Sequence, residues 1–244
     1  MIQSIDRAMR IVKVLISDEN KMDWQISELA TATGLPISTL HRILETLISH
    51  GLVSQEPITK QYRAGYTWME IGFRLHDKID LRHVARPVME RLAAEVEESI
   101  FISIPAGDDS FPIEKVDGPL KVIIAENLGS RVPLTIGAPN KAILANWKYS
   151  DAERVVRKQL PPDQQQAFLD QLVEIKKAGY AISYGEKTEG TVAIASPIIG
   201  YGNTVVAVVF INAPSFRVPD DRLPLLSEKV KAAAAEISMK IGRA

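Results

Sequence analysis

The feature that constrains this chain most is a pair of short helical patterns separated by a glycine, in residues 26–44. Apolar residues such as Ile26 and Leu29 recur on one helical face, which is the spacing of an amphipathic helix. Gly34 then supplies the left-handed conformation that ends a helix, and Pro36 prevents the helix from continuing. A second apolar stripe follows directly. Two short helices joined by such a tight turn predict a helix-turn-helix.

The second helix of this pair is predicted to begin at Ser38, which is a good N-cap residue. Its apolar stripe consists of Leu40, Ile43, Leu44, Leu47 and Ile48. After it come residues 51–53, a polar stretch and residues 61–63, which we interpret as a two-stranded ribbon, or wing. Residues 21–25 form a short extended segment of the kind that pairs with the wing in winged folds. The sequence therefore predicts a winged helix-turn-helix.

The outer face of the second helix carries side chains that can contact DNA. When such a helix enters the major groove, its N-terminal residues reach base edges. Arg42 can pair bidentately with a guanine, and Thr39 can contact a thymine methyl group or a phosphate. The alternative is a solvated polar face on a helical hairpin of another fold, but the wing favours DNA binding. We expect DNA contacts from six residues: Ser38, Thr39, His41, Arg42, Lys60 and Arg63.

The charge of residues 1–66 argues against tight DNA binding by a single copy of this segment. This segment contains seven Lys and Arg residues and seven Asp and Glu residues, so its formal charge is zero; the net charge of the chain is -1. Because neutralisation of phosphates supplies much of the affinity of DNA-binding proteins, a single neutral domain should bind weakly. Two linked copies bind more tightly through avidity. We therefore expect the chain to act at least as a dimer.

The sequence pattern changes from residue 81 onward, and residues 81–244 are predicted to form a second, larger domain. Residues 67–80 are predicted to form a linker helix, and an amphipathic helix follows over residues 81–98. Beyond it, short apolar runs bounded by turn residues predict strands, with helices between and after them. The predicted strands cover 99–104, 111–116, 120–125, 180–184, 192–199 and 205–212, and the predicted helices cover 137–147, 150–159, 162–178 and 219–242. This pattern predicts an α+β domain with a largely antiparallel sheet.

Composition excludes most catalytic chemistry from the larger domain. The chain has no cysteine, so disulfides, thiolate catalysis and cysteine metal sites are excluded. All four histidines lie at or before His83, which removes histidine triads, bases and metal sites from residues 84–244. Glu186, Glu189 and Asp117 could form paired carboxylates, although a carboxylate in a glycine-bounded loop more often accepts backbone N–H bonds. With no phosphate-binding glycine loop either, we expect neither an enzyme nor a cofactor nor a metal.

Two features of the sequence bear on location. The first ten residues are polar and charged, unlike a signal peptide. The longest fully apolar run, residues 205–211, is far too short to cross a bilayer. We therefore expect a cytoplasmic protein that does not contact a membrane.

Nine motifs are spread along nearly the whole chain. In chain order they are 5–11 (IDRAMRI), 29–44 (LATATGLPISTLHRIL), 62–65 (YRAG), 81–87 (LRHVARP), 141–145 (KAILA), 179–181 (GYA), 185–190 (GEKTEG), 193–197 (AIASP) and 212–214 (NAP). These motifs resemble those of the IclR family of bacterial transcriptional regulators. Because they occur in the order in which the family has them, together they are far more specific than any single motif.

The resemblance implies three segments: a winged helix-turn-helix (1–66), a linker helix (67–80) and a GAF-like domain for effector binding and oligomerisation (81–244). It implies a double-stranded DNA operator and a small organic effector as partners. It also implies self-association into homodimers or dimers of dimers. Thr39 and Arg42 should then be the main contacts of the recognition helix. Ile37 stands where some members carry a basic residue, so we expect one contact to DNA to be missing here.

By the same resemblance, the effector pocket lies between the sheet and its loops and is lined by Ala138, Pro139, Ser183, Thr191, Ala193, Phe210 and Asn212. Members that bind small keto acids have a Gly-Lys pair where this chain has Asn140-Lys141. They also have an acidic residue at Ser183 and hydroxyls at Phe210 and Asn212. Since phenylalanine fills volume and removes a donor, a very small polar acid should fit less well here. We expect a carboxylate or an aromatic catabolite of lower polarity.

Several alternatives stay open at this point. Phe210 could pack the core, although it shares one strand face with Asn212, and a buried asparagine there favours a cavity. Lys141 could bind an anionic effector near helix amides, or it could be a plain surface lysine. The larger domain could be an enzyme fused to a DNA-binding module, which the absence of cysteine and histidine disfavours. The winged helix could also serve a protein–protein adaptor that does not bind DNA.

Overall fold

The computed structural model of the protein describes residues 2–18, 21–76, 80–121, 124 and 126–242. The chain divides into two compact units, Met1–Ile79 and Asp80–Ala244. Each unit has a hydrophobic core of its own. No helix in the described ranges is long and apolar enough to cross a membrane.

The smaller unit is a bundle of helices with a two-stranded ribbon. Its elements are α1 (Gln3–Leu15), α2 (Ile26–Thr33), α3 (Ile37–Ser49), β1 (Val53–Gln55), β2 (Tyr62–Ala64) and α4 (Thr67–His76). β1 and β2 pair antiparallel, and Trp24 forms a bridge with Tyr62, so the segment before α2 pairs with the wing as predicted. The buried core consists of Ile11, Val12, Leu15, Leu29, Leu35, Leu40, Leu44, Leu47, Val53 and Tyr62. This is a helix-turn-helix followed by a wing.

The turn between α2 and α3 forms as the glycine and the proline predicted, but the second helix begins one residue early. Gly34 adopts the left-handed conformation, with φ of 68°. Pro36 is extended and occupies the N-cap position, and its carbonyl accepts the N–H of Leu40 at 3.0 Å. The prediction that Ser38 caps this helix is therefore wrong. Pro36 supplies a preset φ and the first carbonyl acceptor, and no side chain caps this helix.

Glu28, in the first turn of α2, makes the stability of the smaller unit depend on pH. The ammonium of Lys21 at 2.6 Å and the N–H of Gln25 at 2.8 Å hold the pKa of the Glu28 carboxyl below its usual value of 4.5. The carboxylate therefore contributes stability above about pH 4.5, and this contribution is lost as the pH falls through the lowered pKa. As the pH is lowered, the free energy of unfolding measured with urea should fall more steeply for the wild-type chain than for Glu28→Gln. Identical pH profiles would contradict this assignment.

The larger unit is a six-stranded antiparallel sheet with helices packed against it. Its elements are α5 (Asp80–Val96), β3 (Ser99–Ala106), β4 (Asp109–Val116), β5 (Val132–Pro133), α6 (Ala138–Ala145), α7 (Tyr149–Gln159), α8 (Pro162–Ala178), β6 (Ala181–Tyr184), β7 (Thr191–Ile199), β8 (Val205–Pro214) and α9 (Leu223–Lys240). The strand order is β5-β4-β3-β8-β7-β6. Helices α6, α7 and α8 share one core with Phe101 and Phe210, whereas α5 and α9 pack against the sheet and against each other.

Five of the six predicted strands are present, with ends that differ by at most two residues. Of the strand predicted over residues 120–125, positions 122, 123 and 125 lie outside the described residues, and positions 120, 121 and 124 do not belong to a strand. The edge strand β5, which pairs with β4, was not predicted, because two residues are too few to show an alternating pattern.

A fully buried carboxylate joins the end of α5 to the segment before α9. Glu98 accepts hydrogen bonds from Arg217 at 3.0 and 2.6 Å and from Arg222 at 3.0 Å. Arg222 also donates to the carbonyl oxygens of Arg217 and Val96. Both guanidinium groups are largely buried as well. This cluster fixes where β8 leads into α9.

Candidate nucleic-acid interface and effector site

Helix α3 carries four of the six residues that were predicted to contact DNA, and three of these four are exposed. Its buried side consists of Leu40, Leu44 and Leu47. Ser38, His41 and Arg42 are exposed, and Thr39 is half-buried. Within the part of the chain that the structure describes, the guanidinium of Arg42 has no hydrogen-bond or ion-pair partner. It is therefore available to a base edge without first breaking an internal contact.

The two cations predicted in the wing differ in their surroundings. Lys60 lies exposed in the turn between β1 and β2, with φ of 58°. Arg63 lies on β2, where its Nε is 2.9 Å from Asp23 and its terminal nitrogen is 3.4 Å from Glu56. Among the described residues no ion pair holds Lys60, so it can neutralise a phosphate directly. Arg63 would have to break its ion pairs with two carboxylates before its full charge could face a phosphate.

Two exposed isoleucines border this surface. Ile37 is the first residue of α3 and is 49% exposed, and Ile58 in the wing is 88% exposed. Apolar side chains can contact thymine methyl groups in the major groove. Ile58 was not singled out from the sequence, although an apolar residue within a polar turn is the signal that could have found it.

A cleft in the larger unit lies between the sheet and the N-terminal end of α6. The space between its walls amounts to about 480 Å³ when the part open to solvent is counted. Its lining consists of Ser103, Ser110, Pro112, Glu126, Val132, Ile136, Gly137, Pro139, Asn140, Ser183, Glu186, Lys187, Thr188, Thr191, Ala193, Phe210 and Asn212. Six of the seven residues predicted to line an effector pocket are brought together here. The seventh, Ala138, is fully buried in the core beside the cleft.

Phe210 serves both the core and the cleft. Its ring stacks on that of Phe101, with 5.2 Å between the centroids and 20° between the planes. The side chain is almost fully buried and belongs to the core cluster, yet it also lines the cleft. The two interpretations of Phe210 from the sequence are therefore not exclusive.

Asn212 lines the cleft and carries an unsatisfied, buried acceptor. It lies on β8, between Ser99 of β3 and Ala193 of β7, and it is 6% exposed. Its Oδ1 has no hydrogen-bond partner among the described residues. Leaving such a buried acceptor unpaired costs about 1–3 kcal/mol. A guest that donates a hydrogen bond to Oδ1 would recover this free energy.

The hydroxyl groups of the cleft are partly engaged in holding its walls. Ser183 Oγ accepts the N–H of Ala138 at 2.8 Å, and Thr191 Oγ1 donates to the carbonyl of Thr188 at 2.6 Å. A serine hydroxyl that accepts one bond can still donate its proton, and a threonine hydroxyl that donates can still accept. The cleft therefore offers a donor at Ser183 and an acceptor at Thr191.

Lys141 and Glu186 form an ion pair beside the cleft: Glu186 lines the cleft, and both residues line an outer groove next to α8. Lys141 Nζ lies 2.5 Å from Glu186 Oε1, and Glu186 Oε2 accepts the N–H of Gly137 at 2.9 Å. Lys141 is 6% exposed, and its Nζ lies 5.7 Å from the centroid of the Phe168 ring. Lys141 is therefore not a plain surface lysine. Glu186 accepts a backbone N–H bond, as its position in a glycine-bounded loop predicted.

The described residues contain no group of three or more His, Cys, Asp or Glu side chains that could hold a metal ion. The polar groups of the cleft are hydroxyls, amides and two carboxylates with their lysine partners. This arrangement can bind and orient a small molecule through hydrogen bonds.

Two family models match the chain. Residues 4–57 match the IclR helix-turn-helix domain, and residues 73–239 match the C-terminal domain of the bacterial transcriptional regulator IclR. The second match alone covers more than half of the chain. The chain belongs to the IclR family of transcriptional regulators. It is thus a DNA-binding transcriptional regulator and not an enzyme.

Relatives in the IclR family match the chain over most of its length. HTH-type transcriptional regulator KipR of Bacillus subtilis (strain 168) is 32% identical over 233 residues, which cover 91% of this chain and 92% of KipR. The crystal structure of an IclR transcriptional regulator from Alicyclobacillus acidocaldarius superposes with a TM-score of 0.84 at 25% identity, covering 99% of this chain and 100% of that one. An IclR homologue from Microbacterium hydrocarbonoxydans, solved with 4-hydroxybenzoate, shares the fold with a TM-score of 0.82 at 22% identity and 98% coverage of both chains.

Membership of the IclR family confirms part of what the sequence predicted. The family resemblance and the α+β fold class, with an N-terminal winged helix-turn-helix and a C-terminal antiparallel sheet with helices, are confirmed. The alternative of a fused enzyme finds no support in the matched families or relatives. The individual DNA and effector contacts, the domain limits, the GAF-like description and the dimer stay predictions.

Proposed function

We propose that this regulator senses a small organic metabolite in the cleft beside α6 and changes its affinity for operator DNA when the cleft is filled. The observation that carries the proposal is the unpartnered, buried Oδ1 of Asn212 in a cleft lined by convergent polar groups. The surrounding hydroxyls of Ser183 and Thr191 hold the walls and keep hydrogen-bonding capacity towards a guest. Concave sites with a few convergent polar groups are typical of small-molecule binding.

The chemistry of the cleft favours a carboxylate or an aromatic catabolite. Phe210, Pro139 and Ala193 provide apolar contact surface, and Asn212 Oδ1 requires a ligand group that donates, such as a hydroxyl. An aromatic acid with a ring hydroxyl combines these features. The homologue solved with 4-hydroxybenzoate supports this class, because that protein has the same fold.

Two copies of the chain are proposed to present α3 to successive major grooves of a double-stranded operator. In each copy Arg42 and Thr39 are the principal base contacts, Ser38 and His41 flank them, and the wing cations Lys60 and Arg63 face phosphates. A homodimer, or a dimer of dimers, supplies the avidity that a neutral DNA-binding unit lacks. As a transcriptional regulator it is proposed to act in the cytoplasm.

A ligand can shift operator binding only through its different affinity for the two arrangements of the protein. Couplings of this kind are typically about 5–150-fold in the affinity for the second ligand. A thermal-shift screen of organic acids and aromatic catabolites should identify compounds that raise the melting temperature by linkage. These compounds should then change the gel shift on the chain's own upstream region. If no compound in the screen both stabilises the protein and alters the gel shift, the sensing proposal fails.

Phe210→Ser should change which compounds bind. The substitution removes an aromatic contact and adds a hydroxyl. Aromatic ligands should therefore bind at least about tenfold more weakly, and small hydroxy or keto acids should bind more tightly than they do to the wild type. It also removes the stack on Phe101, so a lower melting temperature is expected. The matched control is Phe216→Ser, because Phe216 is an exposed phenylalanine of the same unit. If titration calorimetry gave the same ligand ranking for both variants, Phe210 would not be a specificity residue.

A further inference from the structure

The cleft already holds an anion that belongs to the chain itself. The carboxylate of Glu186 lies at the N-terminal end of α6, where one oxygen accepts the N–H of Gly137 at 2.9 Å and the other lies 2.5 Å from Lys141 Nζ. Lys141 is 6% exposed, so it cannot rely on water for its solvation. A buried ammonium group needs a counter-ion, and Glu186 is that counter-ion in the structure.

The groups that hold Glu186 are those that would hold a free carboxylate. A backbone N–H at the start of a helix and a cation beside it together form a favourable anion site. A second and independent feature shows that the same cleft is incomplete without a guest. Asn212, also 6% exposed, lines the cleft, and its buried Oδ1 has no hydrogen-bond partner among the described residues.

The loop that carries Glu186 can release it. Gly185 and Gly190 bound the loop and both adopt left-handed conformations, with φ of 63° and 74°. The Glu186 side chain is 32% exposed, and it lines both the cleft and an outer groove next to α8. Its carboxylate can therefore move outward along this groove, which Lys141 also lines. Lys187, the next residue, pairs with Glu126 at 2.7 Å, and both residues line the cleft.

We propose that Glu186 is an internal stand-in for the ligand, and that the carboxylate of an acidic effector displaces it from Lys141 and from the Gly137 N–H. Glu186 then leaves with its loop, residues 185–190. This inference rests on the proposed function, and it specifies the ligand as an organic carboxylate that also carries a hydrogen-bond donor for Asn212. Because one carboxylate replaces another on the same cation, Lys141 stays paired throughout. The competition with Glu186 sets the concentration of effector to which the regulator responds.

Chemical rescue tests the anion site without knowledge of the natural effector. Glu186→Ala removes the internal carboxylate and leaves Lys141 buried without its counter-ion, so the melting temperature should fall. Sodium acetate at about 100 mM should restore roughly 3 °C or more of that loss, relative to sodium chloride at equal ionic strength. Acetamide should not restore it. Glu189→Ala is the matched control, because Glu189 is an exposed glutamate of the same loop, and acetate should not raise its melting temperature.

Two further variants keep the test decisive if Glu186→Ala does not fold. Glu186→Gln keeps the volume and one acceptor oxygen, and acetate should stabilise it more than Glu189→Gln. The double variant Lys141→Met with Glu186→Ala lacks the cation, and acetate should lose its effect. Absence of rescue, or equal rescue by acetate and acetamide, would overturn the stand-in assignment.

The inference and the proposed function fail in different ways. If acetate rescues Glu186→Ala but no ligand changes operator binding, the anion site is supported and the sensing proposal is wrong. If a ligand changes operator binding equally in the wild type and in Glu186→Gln, and acetate rescues neither variant of Glu186, sensing stands and the stand-in role of Glu186 falls.

Discussion

Arg42→Ala is expected to abolish the specific gel-shift band that this regulator forms with its own operator. The guanidinium is exposed on α3 and has no partner among the described residues, so its full hydrogen-bonding capacity is free for a guanine. A bidentate contact of this kind is worth about 1–3 kcal/mol, or roughly 5–150-fold in affinity. A dimer would lose this contact in both of its copies. The measurement is a titration of operator and of unrelated duplex with wild type and variant.

Lys13→Ala is the control for this prediction, because it removes one exposed positive charge from the same unit at a position on α1. Lys60→Ala offers a second comparison, since loss of a phosphate contact should weaken operator and unrelated DNA alike. If Arg42→Ala bound the operator with undiminished preference over unrelated duplex, the assignment of the recognition surface would be wrong.

Glu98→Ala is expected to cost about 3–5 kcal/mol of the free energy of unfolding of the larger unit. The substitution removes a fully buried carboxylate from between the guanidinium groups of Arg217 and Arg222. These groups are themselves mostly withdrawn from water, so their charge cannot be solvated fully after the loss. Urea unfolding followed by circular dichroism measures the effect.

The matched control is Glu95→Ala, which breaks the solvent-exposed pair between Glu95 and Lys229. Exposed pairs contribute about 0–1 kcal/mol, so this variant should unfold close to the wild type. If both variants lost the same free energy, the Glu98 cluster would have no special role in holding α5 to the start of α9.

The parts of the fold that the sequence predicted well are those governed by local patterns. The turn at Gly34 and Pro36 follows from backbone preferences of these two residues, and the long strands follow from apolar runs bounded by turn residues. Helix α3 begins one residue before the predicted start, because Pro36 and not Ser38 occupies the N-cap position. The strand β5 is too short to have a pattern at all.

The candidate site was predictable only in part, because its contacts are not local in sequence. The lining positions Ser183, Phe210 and Asn212 came from resemblance to a family. No sequence pattern indicated that Lys141 pairs with Glu186, since 45 residues separate them and the sheet brings them together. Nor could the sequence show that Arg63 is held by two carboxylates while Arg42 is free within the described part of the chain.

Filling the cleft of the larger unit should change the affinity of the smaller unit for DNA. The most direct test is the dissociation constant of the full chain for a duplex from its own upstream region, measured with and without a saturating concentration of a stabilising metabolite. We predict a change of at least about fivefold, which is the lower end of typical allosteric couplings. An operator affinity that stays the same while the metabolite is bound would contradict the account.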